Sequence, residues 1–138
     1  MDYIALLVAV VIQVVVGVLW YSPLMFGKTW MKVMETSHLT KEEMKKMEKE
    51  MTPFYALQAF LTLTMTWVFA SNINFYEISG AAVYFFAFFI WLGYMMPVTV
   101  SSVIWGNTKK KFWIKQISIM CGMQIVCIMI AAFVLTNL

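Results

Sequence analysis

Four stretches of about 20 residues run through this chain almost without charge, and that is the length a helix needs to cross a hydrocarbon core about 30 Å thick. They are approximately residues 3–22, 53–71, 79–104 and 112–136. Of the 138 residues, 62% are hydrophobic and only 12% charged. An average soluble domain carries about a quarter charged residues, so most of this surface must face something other than water. The expected fold is all-α: an integral membrane four-helix bundle, with an amphipathic cytoplasmic helical arm between spans one and two. A single domain is expected over residues 1–138. The first run begins Met1-Asp2, lacks a positive n-region and ends in Trp20-Tyr21, so it reads as a permanent span and not a cleaved signal.

The lysines set the expected direction. Lys28, Lys32, Lys41, Lys45, Lys46 and Lys49 lie between spans one and two. Lys109, Lys110, Lys111 and Lys115 lie between spans three and four. The two ends of the chain and the turn at residues 72–78 carry none. Under the positive-inside rule the lysine loops are cytoplasmic and both termini outside, in the cell (plasma) membrane. Topology thus accounts for the net charge of +3, and no aromatic-basic patch suggests nucleic acid.

The first loop, residues 24–51, has structure of its own. Phe26, Trp30, Val33 and Met34 set against Lys28 and Lys32 suit a short helix lying in the interface. Thr40 followed by Glu43 predicts a capping box that opens a second helix through Met51, with Met44, Met47 and Met51 on one face. Pro53 then suits the first turn of span two. Such an arm would shield the end of the bundle, or offer an adaptable methionine face to a partner.

Where span one ends, the string Gly17-Val-Leu-Trp20-Tyr21-Ser22-Pro23-Leu-Met-Phe26-Gly27-Lys28-Thr-Trp30 reads as a membrane-exit elbow. Pro23 lacks a donor and turns Ser22 away from helical geometry. Gly27 permits a second change of direction, and Lys28 and Trp30 anchor the result among headgroups. The string, with Trp91-Leu92-Gly93-Tyr94-Met-Met-Pro97 in span three, resembles a family of small four-span membrane proteins catalogued as domain of unknown function 1761. The resemblance covers nearly the whole chain. It implies a four-span protein and brings no activity, cofactor or functional residue. The two strings also resemble each other faintly: Trp20 and Tyr94 each precede a proline by three residues, and Phe26-Gly27 and Trp105-Gly106 follow. A tandem pair of two-helix hairpins is one arrangement that would produce this.

No Asp, Glu, Lys, Arg or His lies deep in a span, which argues against proton relays and charged-substrate sites. The polar residues that remain form stripes. Ala5, Ala9, Gln13 and Gly17 recur every fourth residue in span one; Ala59, Thr62 and Thr66 share a face of span two; Gln124, Cys127 and Ala131 share one in span four. An unpaired amide in hydrocarbon is costly, so Gln13 and Gln124 are expected to face the interior and to meet each other. Helix adhesion explains them most simply. The functional reading is a buried polar pocket of Gln13, Thr66, Gln124, Trp91 and Tyr94. Gly17, Thr62 and Thr66 are expected to line an interface between copies.

Cys121 and Cys127 are six residues apart on one helix and cannot pair. No catalytic, metal-binding or cofactor motif is present, and Glu35 and His38 stand without converging groups. The chain therefore reads as a non-enzymatic membrane protein whose role is undefined. Self-association, with binding or transport of a small uncharged or lipophilic molecule, is one concrete version. An accessory subunit of a larger membrane complex is the alternative, and an enzyme acting on lipid ranks last. The expected partners are membrane lipid and a second copy or another membrane protein.

Overall fold

The computed structural model covers Met1–Leu138 and is helical throughout, without strands. Span one is α1 (Tyr3–Trp20), opened by Asp2, whose carboxylate accepts from the Ile4 and Ala5 amides. A short α2 (Gly27–Val33) follows the elbow. Span two belongs to α3 (Lys41–Phe75), and span three to α4 (Ala81–Ile90) and α5 (Met96–Ile104). Span four is α6 (Trp113–Asn137), entered through one 3₁₀ turn at Lys110–Phe112. Four of these helical stretches are long and apolar enough to cross a membrane. Only 21 of 138 residues are buried, so the bundle turns most of its apolar side chains outward, as a protein solvated by lipid does.

Span four is the hub. Helix α6 packs against α1 on one side and against α4 and α5 on the other, and it also touches α2. Small residues allow the close approach: Ala5 and Ala9 on α1, Ala87 on α4, and Ala131 and Ala132 on α6 are almost completely buried. Helix α3 leans on α1, meets α6 only lightly and barely reaches span three. Phe69 and Phe86, stacked at 5.7 Å, are the ring contact between those two spans. The bundle is therefore closed on three sides and open between spans two and three.

Two expectations are corrected. The arm and span two are one 35-residue helix, not two helices meeting at Pro53. Thr40 does form the capping box with Glu43, but the helix continues through Pro53, which costs it one backbone hydrogen bond. The arm also does not shield the bundle: from Lys41 to Gln58 only Met44 is even partly buried, and the rod projects away from the other spans.

Pro97 does not end span three, whose helical run continues through it to Ile104. It stands just after a π-helical turn, Trp91–Met95, in which the Met96 amide reaches back five residues to the Trp91 carbonyl. A proline ring has no N–H for the fourth carbonyl back and would crowd it, and the wider turn makes room. The turn also preserves a stripe. Val83, Ala87, Thr99 and Val103 are buried at multiples of four residues, a spacing that drifts about 40° per step in a regular α-helix. One extra residue in the turn takes back about 100° of that drift, so both halves of span three face α6.

Candidate functional site

The elbow is built as its residues suggest. The Phe26 amide donates to the Trp20 carbonyl (3.0 Å) and the Gly27 amide to the Ser22 carbonyl (2.9 Å), which closes the turn around Pro23. Ser22 Oγ caps the Leu19 carbonyl at 2.6 Å. Gly27 is required here: a Cβ would lie 2.6 Å from both the Tyr21 carbonyl oxygen and the Ser22 carbonyl carbon. Trp20 packs on Phe26 and Tyr21 meets Trp30 edge-on, while Lys28 is exposed. The Trp20 indole N–H reaches across to the Ile119 carbonyl of α6 at 3.0 Å. Gly122 gives it a berth, since a Cβ there would come within 3.0 Å of the ring.

From the other side the Trp91 indole N–H donates to the Cys121 carbonyl, also at 3.0 Å. Two tryptophans thus hold the central helix by carbonyls two residues apart. The partner of Trp20 in the second hairpin is Trp91, not Tyr94. Tyr94 is 73% exposed, because the widened turn carries it to the outer side of span three, and it takes no part in a polar pocket.

The two glutamines face inward but not toward each other. Gln13 Nε2 donates to Thr66 Oγ1 of α3 at 2.9 Å and to the Ala9 carbonyl at 3.1 Å. Thr66 in turn donates to the Thr62 carbonyl at 2.7 Å. Gln124 Nε2 donates to Thr99 Oγ1 of α5 at 2.6 Å. Each glutamine therefore ties the two spans of its own hairpin. Gln13 sits on the first span of its pair and Gln124 on the second, so these ties do not follow the tandem relation. The expected single pocket is divided between two seams, with Trp91 and Gln124 in the second. Gly17 faces Met123 of α6, and Thr66 is buried against Gln13, so both take part in packing within this subunit. Thr62 is half-buried and bonds its own helix at the Gln58 carbonyl.

The open side of the bundle holds a cavity of about 330 Å³. Gln13 and Thr66 meet at its polar part, and Phe69, Phe86, Met95 and Cys127 form apolar walls. Its rim includes Met65 and Val68, both about half exposed on the lipid side of α3. Gln13 is itself 7% exposed. Both of its amide protons are engaged, whereas its Oε1 accepts no hydrogen bond and is not sealed off. Gln124 Oε1 is the opposite case: it too lacks a partner, but it is shut inside the seam. A free acceptor in an apolar cavity selects for a neutral ligand with one O–H or N–H donor and a hydrocarbon body.

Sequence reasoning found Gln13 and Thr66 but missed Phe69, Phe86 and Met95. These look like ordinary apolar residues, and what sets them apart is the gap left between spans two and three. The family model described as Protein of unknown function (DUF1761) matches residues 4–136, so the chain belongs to that family. No curated protein and no solved structure matches it.

Proposed function

We propose that this member of a membrane protein family of unknown function binds a small, uncharged lipophilic molecule in the groove between spans two and three. The observation that carries the reading is Gln13 Oε1, an acceptor without a partner on a residue that lines a mainly apolar cavity of about 330 Å³, beside Thr64, Thr66 and Asn72. The ligand enters sideways from the bilayer, lays its hydrocarbon along Phe69 and Phe86, and donates one hydrogen bond to Gln13. Binding and release on that route require no charge, in keeping with spans that carry none at depth. The reading includes no catalytic step. The lysine-bearing loops lie in the cytoplasm and the termini outside, which opens the groove mainly in the outer half of the plasma membrane.

A long-chain alcohol carrying a diazirine, set against the matching alkane without the hydroxyl, tests this directly. The alcohol should label residues of the groove about tenfold more than the alkane, one hydrogen bond's worth of preference in a dry site. Ala131→Phe, which fills the cavity, should abolish both labels there. Equal labelling of the whole lipid-facing surface by both probes would sink the reading.

The exposed methionine face of the projecting arm favours a second reading, an accessory subunit that docks a partner through Met47 and Met51. Co-purification of one stoichiometric membrane protein, lost on Met47→Ser/Met51→Ser, would favour it.

A further inference from the structure

At the opposite end from the groove's outer part, the two lysine-bearing loops come together. Met34 caps helix α2, and Glu35 follows in a left-handed conformation (φ 58°) that is usual for glycine at this point. The Thr36 amide returns to the Met31 carbonyl at 2.9 Å and completes the turn. Glu35 so placed meets Lys109 from the other loop at 2.6 Å, the one ion pair in the protein. Lys109 hydrogen-bonds the Glu35 carboxylate and, with its charge, holds that group below its ordinary pKa.

The pair borders an open cleft of about 530 Å³ lined by Lys32, Glu35, Ser37, His38, Lys111 and Phe112. Its only carboxylate is already matched by Lys109, which lies outside the lining. Lys32 and Lys111 form no ion pair, although Lys111 also helps to lower the Glu35 pKa, and three lysines against one carboxylate leave the cleft with two positive charges in excess. Ser37 adds a hydroxyl and His38 a ring nitrogen. Lys111 rests 5.0 Å from the centroid of Phe112, whose face steadies the ammonium without neutralising it. Phe112 is the last residue before span four, so the cleft stands at the depth of the lipid headgroups.

We propose that this cleft is a binding site for the phosphate of an anionic lipid, held between Lys32 of the first loop and Lys111 of the second. Charge complementarity selects the occupant. The cleft is open, cationic and wide enough for a headgroup, and the membrane surface presents phosphates at that level continuously. Phosphate esters need donors only, and lysine, serine and histidine supply them. Because the two lysines come from different loops, the bound lipid fastens the same loops that Glu35 and Lys109 already join. This site shares no lining residue with the groove.

The test is native mass spectrometry of the full chain from micelles holding equal phosphatidylglycerol and phosphatidylcholine. The wild-type protein should retain phosphatidylglycerol about thirtyfold over phosphatidylcholine, the order expected of two lysines at a charged surface. Lys32→Gln/Lys111→Gln should bring that ratio near parity, and Lys32→Gln alone should reach an intermediate value. Lys45→Gln/Lys46→Gln on the projecting arm should leave the ratio unchanged. Equal retention of the two lipids by the wild type would overturn the proposal, as would a preference that survives the double substitution. Thermal unfolding with inorganic phosphate separates the two sources of phosphate. If phosphate alone stabilises the lipid-free protein as much as phosphatidylglycerol does, the site reads a free anion and the lipid assignment is overturned.

Discussion

The two hairpins of this bundle use the same parts and arrive at different ends. Each places an indole on a carbonyl of α6, each joins its spans by one glutamine–threonine hydrogen bond, and each leaves its first span through an aromatic-glycine pair. In the second hairpin the glutamine's oxygen is sealed in; in the first the glutamine lines a cavity. The difference comes from neighbours. The Gln124 tie joins α5 to the central α6, which α1 and α4 also flank, whereas α3 is supported mainly by α1 and leaves the Gln13 tie open on one flank. A polar pair in a membrane bundle is adhesive when enclosed, and becomes a candidate site when one packing partner is withdrawn.

The largest expected difference lies at the two exits. A Cβ on Gly27 meets three backbone atoms within 2.7 Å, while one on Gly106 meets only the Ser102 carbonyl oxygen that closely. Gly27→Ala should cost about 1–3 kcal/mol, as forced overpacking does, and more than Gly106→Ala. Unfolding in detergent read by tryptophan fluorescence checks this, and an equal loss at both exits would make the elbows interchangeable.

The glutamines sharpen the contrast next. Gln13→Leu should lower binding of the alcohol probe about tenfold, or about 1.4 kcal/mol, and Gln124→Leu should leave it unchanged. In stability the order changes. Gln13→Leu removes a helix–helix bond worth about 1 kcal/mol. Gln124→Leu removes such a bond together with a sealed, unpaired oxygen whose burial costs about 1–3 kcal/mol, so its net effect should be near zero or stabilising. A large loss of stability in Gln124→Leu would mean that this oxygen has a partner in the membrane.

Smaller effects are expected from the indoles. Trp20→Phe and Trp91→Phe should each cost about 0.5–1.5 kcal/mol, the range for one hydrogen bond, with Trp20 the costlier because Phe26 lies closer to it (4.7 Å) than Phe88 does to Trp91 (5.9 Å). Carbon-13 labels on the Ile119 and Cys121 carbonyls would report each loss in the infrared separately.

The smallest effect belongs to the Glu35–Lys109 pair, which is exposed. Glu35 has its pKa lowered in the folded protein, so its contribution is present above the ordinary carboxylate value of 4.5 and is lost as pH falls through the lower folded value. Glu35→Gln should therefore lower stability slightly at neutral pH and match the wild type in acid. A difference that persists in acid would show that the residue acts through its turn and not its charge.

Much of this fold is legible locally. The four spans follow from runs of apolar residues, the start of α3 from Thr40 and Glu43, and the elbow from Pro23 and Gly27. The continuity of α3 left a quieter sign: nothing between Met51 and Pro53 is a glycine or asparagine that would stop a helix. The site was harder to read. Gln13 and Gln124 were both recognisable as inward-facing, but which threonine each meets depends on how the helices are rotated and how far apart they stand. Tyr94 shows the limit most clearly. Its place beside Trp91 in the sequence suggested a shared pocket, but with one widened turn, needed by Pro97 a few residues on, Trp91 bonds α6 while Tyr94 stands exposed.

The unbroken α3 also has a mechanical meaning. It is gripped at Thr66 and unsupported toward Lys41, about 37 Å away at 1.5 Å per residue. Any tilt that widens the groove is carried along the rod, and a tilt of about 10° displaces the free tip by about 6 Å on that geometry. The arm is in effect a pointer: a small change of gap beside Gln13 is written as a larger movement of the charged tip at the far surface.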